Sequence, residues 1–354
     1  MFSDAPLLGS DLSKAESVIG FLTGRLPSMA EEIDNRNELS AEFLQGLREA
    51  GAFDSLSMSL SELMNVVRVA SRWSPAVAHV IMTSATVARR VRQDGRVYSL
   101  CVTEPGGGSD IKANLKTIAE ERAGGEAYVT GEKVYASNAI YASHFLVLAQ
   151  GPSGPTLYLV ERGPGVKVEK QELFTFRGAG VSKVAFEGAT GVRVGTPGKG
   201  IREALETINY ERLSYGAIGL GIKDGFFEEV GPKALTKKIF GVELGDYQGI
   251  RWYFADVEIK SRLLEALLEV TVARAESKGA VDPYDAAVSK LMGAEVAQRA
   301  AWLAVQVMGG AGFARGSRLE RLTRDSRMLD IGAGAREVLL DFVGEQAVKR
   351  YRGH

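Results

Sequence analysis

Carboxylates and backbone amides, not metal ligands or thiols, are the groups in this sequence able to do chemistry. The three histidines, His79, His144 and His354, are scattered, and the single cysteine, Cys101, lies in an apolar run. None has a Cys or His partner at metal-ligand spacing, so no metal is expected, nor Ser-His or Cys-His catalysis. One thiol cannot form an intramolecular disulfide, and a buried Cys101 suits a reducing, cytoplasmic setting. Two segments remain. Thr103-Glu-Pro-Gly-Gly-Gly-Ser-Asp110 follows a predicted strand. Its glycines let backbone N–H groups approach an anion, and Thr103 and Ser109 add hydroxyl donors; a plain loop is the competing reading. Tyr210-Glu-Arg-Leu213 lies in a predicted helix whose apolar stripe runs through Ile201, Leu205, Ile208, Tyr215 and Gly219. At about 100° per residue Arg212 falls within that stripe and Glu211 at its edge, a core-facing border. A Glu-Arg pair there is costly unless paired or functional, and a structural ion pair is the bland alternative.

Two phosphate loops are absent. Gly195-Thr-Pro-Gly-Lys-Gly200 lacks the Ser/Thr after Lys199 that a Walker site needs, and Gly219-Leu-Gly221 has neither a third glycine nor a preceding strand. With 43 Lys+Arg against 44 Asp+Glu, no charge surplus attracts nucleic acid or an anionic membrane. No apolar run is long enough to span a bilayer, and residues 1–10 do not read as a signal peptide.

The elements that must position these groups fall in three zones of the 354 residues. Residues 1–95 read as a helical domain: Val18, Phe21, Leu22 and Phe43, Leu44, Leu47 recur at helical steps, and Ser59-Leu-Ser-Glu62 is a capping box. Residues 96–196 hold short β-branched or aromatic runs broken by Gly/Pro clusters, which predicts a mainly antiparallel sheet, barrel or sandwich. Residues 197–354 return to long helices, over Tyr247–Lys278, Pro283–Val307 and Arg336–Tyr351. The predicted fold is mainly α with a central β domain and a C-terminal four-helix bundle.

Five segments in order extend the argument. Thr103 to Asp110 resembles the flavin-binding loop of the acyl-CoA dehydrogenase family. Gly131 to Asn138 is similar to the strand flanking the flavin ring in that family. Phe240-Gly241 with Gln248 resembles its Phe-Gly…Gln element, and Gln306 to Phe313 its glycine motif. Arg324-Asp325 and Ile331 to Glu337 resemble its C-terminal signature. The resemblance spans essentially the whole chain.

That resemblance implies FAD as cofactor, held by Cys101, Thr103, Gly108, Ser109, Tyr135, Ser137, Lys237, Phe240, Gln248, Gln306, Gly309, Gly310 and Glu337. It implies an acyl-CoA substrate bound by Ser109, Tyr210, Arg212, Ala333 and Gly334. The reaction implied is α,β-dehydrogenation to the 2-enoyl-CoA: a carboxylate takes the α-proton and the β-hydrogen leaves as hydride to flavin N5. Many members carry the base just before a Gly in the C-terminal signature, where this sequence has Ala333. Isovaleryl-CoA dehydrogenase instead carries it on a bundle helix before an Arg, which here assigns Glu211. The Ala333 N–H remains as a donor to the thioester oxygen. A homotetramer or homodimer passing electrons to an electron-transfer flavoprotein is also implied. Two other readings share the fold: a non-catalytic subunit of a heteromeric dehydrogenase, and a flavin monooxygenase or oxidase.

Overall fold

The computed structural model describes residues 11–352. Four helices open the fold: α1 Glu16–Arg36, α2 Ala41–Glu49, α3 Leu60–Ser71 and α4 Pro75–Val91. Their boundaries follow from local chemistry. Ser59 and Glu62 form the expected reciprocal capping box at α3. Ser74 caps α4, with Pro75 at a position whose N–H has no intrahelical partner.

The middle part holds β1 Tyr98–Cys101, the short α5 Ile111–Asn114, β2 Ile118–Glu121, β3 Glu126–Ala136, β4 His144–Gly151, β5 Gly154–Glu161, β6 Val166–Lys170 and β7 Ser182–Arg193. The strands are mainly antiparallel, with parallel pairings of β4 to β1 and to β2. Because β4 also pairs with β5, and β5 with β7, the path β4-β2-β3-β7-β5 returns to its start and closes into a barrel. Closure pairs each of these five strands on both sides, while β1 and β6 add on by one pairing each. Period-two alternation fills the interior with Phe145, Val147, Tyr158 and Phe186.

Long helices follow: α6 Gly200–Thr236, then the hairpin β8 Lys238–Ile239 and β9 Val242–Glu243, α7 Gln248–Lys278 and α8 Pro283–Met308. After them come α9 Arg318–Ser326, the short α10 Met328–Ile331 and α11 Arg336–Tyr351. The predicted spans of α7, α8 and α11 agree with these to within a residue. Helices α6 and α8 meet backbone to backbone at Gly219 and Gly293: a Cβ on Gly293 would lie 2.9 Å from Gly216 Cα. One apolar core joins the N-terminal helices to the bundle, including Leu63, Val77, Ile218 and Val296. A second cluster, with Val87, Leu100, Leu146 and Ala204, packs α4 and α6 against the outside of the barrel. No helix among the described residues is long and apolar enough to cross a membrane.

Candidate active site

A cavity of about 970 Å³ opens where α4, α6, the barrel and the α10–α11 turn converge. That volume lies at the upper end of small-molecule and cofactor sites.

The glycine loop forms one wall, through Thr103, Gly107, Gly108, Ser109 and Asp110. Its glycines have steric causes. Gly107 has φ +114°, and a Cβ on Gly108 would sit 3.1 Å from Thr103 Oγ1. The loop is braced from behind. Glu104 accepts from the N–H groups of Lys116 at 2.8 Å and Thr117 at 3.0 Å. It also pairs with Lys133 Nζ at 2.8 Å, and both side chains are buried. Lys133 donates as well to the Val102 carbonyl. Asp110 caps α5 by accepting from Ala113 N–H, and Asn114 Nδ2 donates to the Gly107 and Asp110 carbonyls.

The end of β3 supplies a second wall. Tyr135 and Asn138 have left-handed φ of 54° and 64°, which breaks the strand's alternation and leaves both Tyr135 and Ser137 lining the cavity. Asn138 Nδ2 pins this turn by donating to the carbonyls of Val80 and Tyr98. Ser137 Oγ lies 2.7 Å from His79 Nε2 on α4. Burial holds that imidazole neutral by lowering its pKa to about 4. Sequence alone gave no sign of this contact, since the partners are 58 residues apart.

Helix α6 contributes Ile201, Leu205, Ile208, Asn209, Glu211, Arg212 and Tyr215. The apolar stripe read from the sequence therefore lines the cavity from Ile201 to Tyr215, while Ile201 and Ile208 also pack on the apolar cluster outside the barrel and Tyr215 and Gly219 are buried. The expected order of burial is also reversed. Glu211, placed at the stripe's edge, is 7 % exposed, whereas Arg212 is only half-buried. The cause is α4, which covers Glu211 and donates Thr83 Oγ1 to its Oε1 at 3.3 Å. Burial raises the Glu211 pKa to about 7, against the opposing pulls of Thr83 and Arg212. No Glu211–Arg212 ion pair forms among the described residues. Arg212 instead donates through Nε to the Ala333 carbonyl at 2.8 Å and through Nη1 to Asn209 Oδ1 at 3.0 Å.

The turn between α10 and α11 completes the site. Ala333 has φ +55°, costly for a residue with a Cβ, and Gly334 has φ +112°, which glycine adopts freely; the turn is held from outside. Lys290, wholly buried on α8, donates to the carbonyls of Asp330 at 3.1 Å and Gly334 at 2.6 Å. With Arg212 on the Ala333 carbonyl, cations occupy the carbonyl side of the turn. The Ala333 N–H has no acceptor among the described residues, and Ala333 lines the cavity.

Of the residues singled out from the sequence, Thr103, Gly108, Ser109, Tyr135, Ser137, Glu211, Arg212, Ala333 and Gly334 line this one cavity. Others do not. The Cys101 thiol points into the barrel interior, where burial pushes its pKa up to about 12. Tyr210 turns away to the Gly279 carbonyl. Glu337 is exposed on the first turn of α11. Lys237, Phe240, Gln248, Gln306, Gly309 and Gly310 gather past the far end of α6. There Lys237 Nζ donates to the Val307 carbonyl and Phe240 is 96 % exposed. From Glu211 to the end of α6 at Thr236 is 25 residues, roughly 38 Å at the rise of an α-helix. His79, Thr83, Tyr215 and Lys290 are functional candidates that no sequence motif marked.

Residues 99–189 match the acyl-CoA dehydrogenase middle-domain model, and residues 198–348 the acyl-CoA dehydrogenase C-terminal-domain model. The chain belongs to the acyl-CoA dehydrogenase family. That family comprises flavin-dependent oxidoreductases. A probable short/branched chain specific acyl-CoA dehydrogenase of Dictyostelium discoideum is 25 % identical, over 95 % of this chain and 89 % of that one. An acryloyl-CoA reductase (NADH) of Anaerotignum propionicum is 29 % identical over 75 % of this chain and 70 % of its own length. The butyryl-CoA dehydrogenase structure from Megasphaera elsdenii superimposes with a TM-score of 0.88 at 21 % identity, covering 96 % of this chain and 98 % of that one. The shared order of helical, β and helical parts is the family fold.

Proposed function

We propose that this chain is an FAD-dependent acyl-CoA dehydrogenase that converts an acyl-CoA thioester to the 2-enoyl-CoA, with Glu211 as the base. The observation that carries this reading is the Glu211 carboxyl, buried in the cavity wall with a pKa near 7 and not neutralised by Arg212. Such a carboxyl is ionised often enough at neutral pH to accept a proton and basic enough to hold it.

FAD bound in the cavity supplies the hydride acceptor for the β-hydrogen. The residues fit that group: glycines at 107 and 108 leave backbone room, and Tyr135 and Ser137 face the same space. Thr103, Gly108, Ser109, Tyr135 and Ser137 would hold it from one chain. The thioester oxygen is read as accepting from the Ala333 N–H, whose turn Lys290 and Arg212 keep fixed before substrate arrives. Glu211 then takes the α-proton on a carboxylate oxygen, and the α10–α11 turn and α6 exclude water around it.

Lys237, Phe240, Gln248, Gln306, Gly309 and Gly310 lie too far along α6 to share the cavity of their own chain. We read them as serving a neighbouring copy in a homo-oligomer, tetramer or dimer, with an electron-transfer flavoprotein as electron acceptor. The exposed Phe240, Phe313 and Trp252 in that region support a covering partner.

The test is anaerobic titration of the FAD-saturated protein with acyl-CoA thioesters. Loss of the flavin's visible absorbance with stoichiometric 2-enoyl-CoA is expected. A protein that takes up no FAD would instead mark a non-catalytic subunit; in aerobic solution, enoyl-CoA formed with hydrogen peroxide would mark an oxidase, and oxygen consumed with an oxygenated product in place of the enoyl thioester would mark a monooxygenase.

A further inference from the structure

The lining of the cavity along α6 begins at Ile201 and ends one helical turn beyond Glu211, at Tyr215. Tyr215 is 1 % exposed. Its ring stacks on His79 at 6.0 Å between centroids with a 21° interplanar angle, and lies 6.5 Å from Phe176. Its hydroxyl end packs onto Gly332 so tightly that a Cβ there would meet Tyr215 Cζ at 3.1 Å and Met328 Cε at 2.9 Å. Side chains from α4, α6, α10 and the segment between β6 and β7 thus meet as one plug. His79 is itself anchored to Ser137 at the end of β3 and does not yield cheaply. Close-packed aromatic contacts of this kind resist the insertion of further methylenes.

We propose that Tyr215 sets the length of the acyl group, limiting the enzyme to short acyl thioesters of about four or five carbons. The proposal rests on the reading above only in placing the substrate α-carbon beside Glu211. Four residues of helix separate Glu211 from Tyr215, about 6 Å of rise. An extended acyl chain advances about 1.3 Å per carbon, given C–C bonds near 1.5 Å. After allowance for the thickness of the ring, two or three carbons fit beyond the α-carbon. An eight-carbon acyl group needs several more and meets the plug.

The test measures equilibrium binding, by calorimetry, of butyryl-CoA and octanoyl-CoA to the FAD-saturated Glu211→Gln protein, which separates fit from turnover. Octanoyl-CoA is expected to bind at least about 100-fold more weakly than butyryl-CoA, since misfitting methylenes in a rigid pocket discriminate on that scale. Adding Tyr215→Ala or Tyr215→Leu should lower that ratio at least tenfold, while Tyr215→Phe keeps it. Two aliphatic replacements are used so that misfolding of one, seen in its thermal unfolding, leaves the other to decide. Equal binding of the two thioesters before Tyr215 is changed overturns the proposal. So does a ratio that stays put in both aliphatic variants, and so does a failure of butyryl-CoA to bind. A clear length preference in a wild-type protein whose flavin no thioester bleaches would keep the Tyr215 assignment and remove the dehydrogenase reading.

Discussion

Replacing Glu211 by Gln should shift the stability of the substrate-free protein in the variant's favour as pH rises. Burial lifts the carboxyl pKa from 4.5 in the unfolded chain to about 7 in the folded one. The folded state therefore binds this proton more tightly, and stability is lost as pH rises from 4.5 to 7. At about 1.4 kcal/mol per pH decade the full penalty is about 3 kcal/mol, complete above pH 7. Glutamine keeps an oxygen for Thr83 Oγ1 and carries no charge, so the variant escapes the penalty; its extra N–H groups add a cost that does not vary with pH. Urea unfolding of both proteins at pH 5 and pH 8 is the assay. The stability difference, variant minus wild type, should grow by about 2 to 3 kcal/mol between the two pH values. Other titrating groups, including His79 and Asp325, are present in both proteins and cancel in the difference. A difference that is the same at both pH values would refute the argument, because it would mean that Glu211 titrates as an ordinary carboxylate.

Two further perturbations address the scaffold. Gly219→Ala would drive a methyl group into the Gly293 backbone where α6 crosses α8, and neither helix can yield locally. A loss of about 2 to 4 kcal/mol is expected in thermal or urea unfolding, and an unchanged midpoint would show that the helices separate more easily than their packing implies. Lys133→Met leaves the buried Glu104 carboxylate without its cation behind the glycine loop. About 3 to 5 kcal/mol of stability should be lost, with weakened FAD retention, and Glu104→Gln in the same chain should restore part of it. Full FAD occupancy and wild-type stability in the single variant would show that the pair does not brace the loop.

The sequence carried the architecture well because its signals were local. The capping box at Ser59, Pro283 at the head of α8 and the Gly/Pro punctuation between strands each act within a few residues. The glycine loop and Glu211 were legible for the same reason, as contiguous motifs. Two properties of the site were not. Periodicity along α6 finds an apolar face but cannot distinguish one that packs only on protein from one that also lines a cavity, as the stripe through Leu205 and Ile208 does. Burial of Glu211 depends on Thr83, 128 residues away in sequence. Likewise His79 with Ser137, Lys290 with the Gly334 carbonyl, and Tyr215 with Gly332 are tertiary encounters that leave no spacing to read. Cys101 and Tyr210 show the converse: both sit within recognisable motifs, yet their side chains point away from the cavity.

The proposed base is tested most directly by stopped-flow, anaerobic reduction of FAD-saturated Glu211→Gln with saturating butyryl-CoA. The variant should retain its flavin and still bind the thioester, yet bleach about 10²- to 10⁴-fold more slowly than the wild type, the usual worth of a positioned general base. Bleaching at the wild-type rate would contradict the assignment of Glu211 and return the search for the base to the other carboxylates.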